Sequence, residues 1–354
     1  MSSCDALNSP SLSEKTSALG IEHFRTLAKN ALLAWNISDA ELTLIKHREN
    51  AVFKVVTENG DKFAMRIHRL GYHSDAALQS ELQWIHALAK SGIELPEVIP
   101  TADGRFFVSA RANANSSPQQ VDLLAWVEGE QLGAVNKELC EDPNAVQAIY
   151  RIIGNMAARL HNQASEWQLP EGFQRHAWDA EGLVGEQPFW GPFWALASLT
   201  DEQRELLQSA RSSVRQALER YGQDPQRYSM IHADFVPENL LLEGNTVRLI
   251  DFDDAGFGWH MFEIATALYF IQDAPHYSIA RTALIEGYRE HRALPEHDLE
   301  TLPMFLAARG FTYLGWVQDR QETETAQKMT PELVTMACKT AAKYLAVASQ
   351  LKSS

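Results

Sequence analysis

Cysteine is scarce in this chain. Cys4, Cys140 and Cys338 are the only three among 354 residues, and no two of them stand in a CxxC spacing. Such a set supports neither a disulfide framework nor a thiolate zinc site. Basic residues are outnumbered, 31 against 46 acidic ones, which leaves a formal net charge of −15. A charge of that sign argues against non-specific binding to DNA, RNA or anionic lipid. No apolar run approaches ~20 residues, the length a membrane-spanning helix needs. The opening stretch MSSCDALNSPSLSEKTSALG has no basic n-region and no apolar h-region, so it does not read as a secretory signal. Glycine-rich phosphate loops are missing too: neither GxxxxGKS/T nor GxGxxG occurs anywhere. Together these absences point to a cytoplasmic protein with no membrane or nucleic-acid partner, and they leave its oligomeric state open.

What is present is a 45% share of apolar residues, enough for a large core. The length suits two lobes better than one. Residues 1–17 are polar and Ser-rich and read as a loose tail. Strands are expected over 42–46, 50–57 and 62–68, with Asn59-Gly60 marking a hairpin between the last two. A helix over 74–90 takes Ser74 or Asp75 as its cap. Leu78, Leu82, Ile85 and Ala89 form its apolar stripe, and Glu81 falls inside that sector. A carboxylate on a buried face needs a cation partner. Two more strands are expected over 106–110 and 121–127, and from Asn144 the pattern is mostly helical.

The most informative stretch is 228–258, YSMIHADFVPENLLLEGNTVRLIDFDDAGFG. Short strands at 240–242 and 247–250 flank a Gly244-Asn245 turn and read as a hairpin. His232, Asp234 and Asn239 precede it, and Asp251, Asp253 and Asp254 follow it. A hairpin brings the two groups to one edge, where carboxylates and an amide oxygen suit Mg²⁺. The spacing adds specificity. HADFVPEN, 232–239, is the kinase catalytic-loop pattern, and Asp251-Phe252-Asp253 takes the place of Asp-Phe-Gly. In that pattern Asp234 accepts or orients the substrate hydroxyl, Asn239 holds one metal ion, and Asp251 holds the metals against the phosphates. Gly256-Phe257-Gly258 reads as a turn.

These motifs and the wording around them resemble the aminoglycoside phosphotransferase and choline kinase-like superfamily, in the branch of type II homoserine kinases, hydroxylysine kinases and the bacterial stress response kinase. The resemblance runs from about Asn50 to the last helices and is strongest over 228–263. It implies an α+β, two-lobed protein-kinase-like fold. A small antiparallel-sheet lobe would span 18–125, a hinge 126–130, and a larger, mainly helical lobe 131–354. The cleft would hold MgATP, with hinge backbone groups on the adenine. The resemblance also implies that Arg66, where the family often has Lys, steadies the phosphates and pairs with Glu81. Lys54 on the neighbouring strand is the alternative cation.

The acceptor side is less sharply marked. Trp167, Trp178, Phe189, Trp190, Phe193 and Trp194 crowd 165–199, as a substrate wall or as a local core. Arg309, Tyr313, Trp316 and Arg320 share one face of a helix expected over 303–323, which borders the acceptor or faces solvent. Trp190, Trp194, Arg309 and Tyr313 are the acceptor-binding candidates, and the arginine would suit a carboxylate or phosphate. His161 reads as structural, and Glu263 as a brace for the metal loop. The expected reaction is transfer of the γ-phosphoryl group of ATP, with Mg²⁺, to a small-molecule hydroxyl. Amino alcohols, hydroxy amino acids such as homoserine, and aminoglycoside-like alcohols all fit. No Ala-Pro-Glu follows Asp251 before Glu263, which favours a small acceptor. A Ser/Thr protein kinase of the stress response type, or a nucleotide-binding regulator without turnover, are the alternatives.

Overall fold

Alternating apolar side chains build the first sheet. In β2 (Ala51–Thr57) every second residue from Ala51 to Val55 is buried, as a strand with one packed face requires. The strand lies between β1 (Ala40–His47) and β3 (Lys62–Ile67), and β5 (Gln119–Ala125) and β4 (Phe107–Ala110) complete an antiparallel sheet in the order β1-β2-β3-β5-β4. Helix α1 (Leu12–Leu32) presents Leu27, Ala28 and Ala31 to a core that includes Phe53, Val55, Met65 and Leu123. It takes in residues 12–17, which the sequence pattern had left to the tail. Helix α2 (Asp75–Lys90) starts after Ser74, whose hydroxyl accepts from the Ala77 N–H at 3.1 Å. The structure is a computed structural model that describes residues 12–47, 50–132, 142–243 and 246–353. The Gly244-Asn245 turn and most of the 47–50 connection therefore lie outside the described residues.

The chain divides into two units, Met1–His86 with Pro96–Val127, and Ala87–Leu95 with Glu128–Ser354. The second is mainly helical. Asp142 caps α3 (Pro143–Glu166), accepting the Asn144 N–H at 2.9 Å. Helix α3 continues past His161 and packs along α7 (Tyr277–Arg289). Gly154 and Gly287 make that approach possible, because a Cβ on either would overlap the other helix's backbone. The remaining helices are α4 (Ala180–Val184), α5 (Asp201–Tyr221), α6 (His260–Tyr269), α8 (Glu296–Leu299), α9 (Leu302–Gln318) and α10 (Glu324–Ser353). Two small sheets carry the loops of interest. One has the order β10-β9-β6, from β6 (Glu130–Gln131), β9 (Leu240–Glu243) and β10 (Thr246–Leu249). The other is β7-β11-β8, from β7 (Ala177–Trp178), β8 (Tyr228–Ile231) and β11 (Gly256–Trp259).

Residues 256–258 are thus a strand and not the expected turn. The two glycines serve close strand packing: a Cβ on Gly256 would come 2.7 Å from the His176 carbonyl oxygen, and one on Gly258 would crowd Ile231. Among the described residues, no helix is long and apolar enough to cross a membrane.

Candidate active site

Strand β8 delivers the loop 232–239 directly. The backbone N–H groups of His232 and Ala233 donate to the two carboxylate oxygens of Glu263 on α6, each at 2.8 Å. This pull bends the chain, and Ala233 sits at φ 63, in the left-handed region that non-glycine residues seldom occupy. Glu263 is fully buried. Burial pushes its carboxyl above the usual range, opposed by the His232 ring and the two amides.

His232 staples the loop to the metal strand. Its Nδ1 accepts the Asp234 N–H at 3.3 Å, and its Nε2 lies 3.1 Å from the Ile250 carbonyl oxygen. Those two bonds require the neutral ring with the proton on Nε2. Burial, the largest influence, agrees, lowering the pKa to about 4. The Ile250 N–H in turn donates to the Asn239 carbonyl at 2.9 Å. Asn239 and Asp251 are therefore held on adjacent chain segments, as the hairpin pattern implied.

Asp234 is gripped from two sides. The Asn239 side-chain amide donates to its Oδ2 at 2.7 Å and to its backbone oxygen at 2.9 Å. The Arg309 Nη2 donates to its Oδ1 at 3.0 Å. Because the Asn239 nitrogen is committed to Asp234, its Oδ1 is the atom left to offer a cation. Asp251 follows at φ 69. The next turn is fixed through its carbonyls: Arg175 donates to those of Asp253 (2.7 Å) and Ala255 (2.5 Å), and the Trp178 indole to that of Asp254 (2.9 Å). An amide oxygen and a carboxylate on rigid turns are hard donors that fit Mg²⁺.

The aromatic segment and α9 meet at Arg309. Gly191 adopts φ 98, and Gly315 lets this turn approach, since a Cβ there would lie 2.8 Å from the Gly191 carbonyl oxygen. Trp190 thereby lies 5.2 Å from the Arg309 guanidinium, and Tyr313 lies 4.2 Å from it. Trp194 goes elsewhere and stacks on Arg211 at 3.8 Å. Phe193 stacks on Phe311 at 4.5 Å, so part of this segment is local core. Arg320 lies beyond the end of α9 and is buried against Trp316, so the four-residue stripe is neither continuous nor solvated.

In the first unit, Arg66 meets Glu81 at 2.9 Å. It is also forked onto Asp122, Nε to Oδ1 at 2.9 Å and Nη2 to Oδ2 at 2.8 Å. His68 contacts the same Asp122 oxygen at 2.6 Å. Asp122 was missed in the sequence. Its signal was a lone charge in the apolar run 121–127, and the ladder sets it directly opposite Arg66. Lys54, on the same sheet, rests on the Trp126 ring at 4.3 Å.

The chain is similar to known proteins along most of its length. Residues 41–297 match the phosphotransferase enzyme family. The fold is the two-lobed kinase-like one, with a small antiparallel-sheet lobe and a larger helical lobe. The structure of a microcompartment-associated aminopropanol kinase is similar at 30% identity, with a TM-score of 0.80 over 92% of this chain and 98% of that one. An amicoumacin kinase of Bacillus subtilis is 20% identical over 89% of this chain and 90% of its own length. A homoserine kinase of Sinorhizobium medicae is 26% identical over 74% of this chain and 73% of its own.

Proposed function

As this chain belongs to the phosphotransferase enzyme family, in the aminoglycoside phosphotransferase and choline kinase-like superfamily, we propose that it is an MgATP-dependent kinase of a small amino alcohol. The observation that carries the reading is Asp234, pinned by Asn239 on one oxygen and by Arg309 on the other. A carboxylate held this way accepts the proton of an acceptor hydroxyl. As that oxygen bonds to the γ-phosphorus, the bond from phosphorus to the β–γ bridging oxygen breaks and ADP leaves. Asn239 Oδ1 and the Asp251 carboxylate would hold Mg²⁺, which when bound neutralises phosphate charge. Arg66, kept in place by Glu81 and Asp122, would steady the α- and β-phosphates. Trp190 and Tyr313 would wall the acceptor, and Trp194 takes no part.

An amino alcohol is favoured over a hydroxy acid by the state of the nearby cations. The Arg309 Nη2 is committed to Asp234 and to the Tyr313 hydroxyl, and Arg175 to backbone carbonyls. Arg309 is also 0% exposed, so the bond on offer to its Nη2 is the protein's own aspartate and not an acceptor carboxylate arriving from solvent. Asp254 also acts on the Arg309 charge, and a second carboxylate on this side suits an ammonium group better than an acid. The 30% identity to an aminopropanol kinase supports the same class.

The test is ADP formation, with and without Mg²⁺, against aminopropanol, ethanolamine, homoserine, an aminoglycoside and a generic protein acceptor. The reading expects the highest kcat/KM with a short amino alcohol. Turnover with the protein acceptor alone, or ADP release that no alcohol stimulates, would overturn it.

A further inference from the structure

The loop 232–239, HADFVPEN, contains no lysine and no arginine. A transferring phosphoryl group nevertheless approaches Asp234, and two negative groups repel unless a cation stands beside them. Among the described residues, the cation paired with Asp234 comes from a different part of the chain. Arg309 is the one charged residue of α9, in the middle of a helix otherwise made of apolar and neutral side chains. It is 0% exposed, whereas the Asp234 side chain is 26% exposed.

Burying a guanidinium is costly unless its donors are satisfied. Here the satisfaction is one-sided. Nη2 bonds Asp234 at 3.0 Å and the Tyr313 hydroxyl at 2.9 Å. Nε and Nη1 have no hydrogen-bond partner among the described residues. The guanidinium instead lies among the rings of Tyr313, Trp190 and Phe262, at 4.2, 5.2 and 5.6 Å. Ring faces stabilise a cation without fixing its direction. Among the described residues, Asp234 is the carboxylate in direct ion-pair contact with it, while Asp254 and Glu263 act on it from further away. An arginine recruited only to tie α9 into the core would be better served by an apolar residue of its size.

Building on the kinase reading above, we infer that Arg309 is a positioning residue for the phosphoryl transfer, supplying from helix α9 the cation that the Asp234 loop lacks. It fixes the rotamer of Asp234 opposite Asn239, and its charge offsets the repulsion between that carboxylate and the incoming phosphoryl group. Trp190 and Phe262 hold the guanidinium in place, and the Tyr313 hydroxyl shares its bonding edge.

The experiment compares wild type with R309M, R309K, Y313F and D234N. Turnover is read as ADP formation with the best alcohol of the panel, and with water alone if none is accepted. MgATP affinity and thermal unfolding are measured alongside. R309M is expected to lose about 10²-fold in kcat, the scale of removing one preorganised charge or donor, while the KM for ATP stays within about threefold. R309K should recover part of that loss, which a purely steric role would not allow. A kcat for R309M within about threefold of wild type, or a loss mirrored in MgATP affinity, would overturn the inference. If R309M does not fold, Y313F decides: a drop of about 3–10-fold in kcat alone supports it, and an unchanged kcat overturns it. D234N separates the two levels. If D234N is inactive and R309M is normal, only this inference fails; if D234N turns over normally, the kinase reading of Asp234 fails with it.

Discussion

Asp122→Asn should damage the first unit out of proportion to its size. The substitution keeps the volume and removes one charge from a fully buried group. Three bonds end on this carboxylate: the two of the Arg66 fork, at 2.9 and 2.8 Å, and the His68 contact at 2.6 Å. Burial pushes the Asp122 carboxyl up, but Arg66 and His68 outweigh it and hold the pKa below the usual value. Breaking a buried pair from one side costs about 3–5 kcal/mol, and a hydrogen bond to a charged group contributes about 1.5–3 kcal/mol. An asparagine oxygen in the Oδ2 position keeps two of the three bonds, while its amide points donor to donor at the Arg66 Nε. The expected loss is therefore about 2–4 kcal/mol. Urea unfolding followed by tryptophan fluorescence reads it, and a titration with MgATP shows whether Arg66 still serves. We expect weaker MgATP binding, because the fork that orients the guanidinium is lost. A loss under about 1 kcal/mol with unchanged MgATP affinity would refute the reasoning.

On the proposed assignment of Asp251 to Mg²⁺, Asp251→Asn should weaken MgATP binding far more than Asp253→Asn; asparagine also tolerates the φ of 69 at position 251. Equal losses in isothermal titration would mean a wrong ligand assignment. Arg66→Ala should weaken MgATP binding more than Lys54→Ala; the reverse order would move the phosphate cation to the neighbouring strand. Stability should also fall in mild acid. His161 and His260 stack at 4.1 Å, and burial lowers both well below the ordinary 6.5, as it lowers His232 to about 4. The unfolded chain therefore takes up these protons first. The stabilisation is complete above 6.5 and is lost as the pH falls below it, by about 1.4 kcal/mol per pH unit for each histidine. Urea melts from pH 7.5 to 5 that show a flat midpoint would contradict this.

Much of the machinery was legible because it is local. The loop 232–239 and Asp251 sit at fixed spacings around a short hairpin, and the pattern carries the geometry with it. Glu81 announced itself as a carboxylate in an apolar stripe. Asp122 needed the strand register, since only the ladder shows that it faces Arg66. The grip of Arg309 on Asp234 joins residues 75 positions apart, and helical spacing could reveal the face but not its partner. Arg175 gave no signal, because backbone carbonyls as partners leave no trace in side-chain chemistry.

The central claim is that Asp234 serves phosphoryl transfer to the hydroxyl of an amino alcohol. Phosphorus-31 NMR of aminopropanol incubated with MgATP and the protein tests it most directly, comparing wild type with Asp234→Asn. The account predicts one O-phosphorylated amino alcohol per ADP with wild type, and a rate about 10²–10⁴-fold lower in the variant, with MgATP binding preserved. A phosphoryl ester formed equally fast by the variant, or ADP and inorganic phosphate with no ester from wild type, would contradict it.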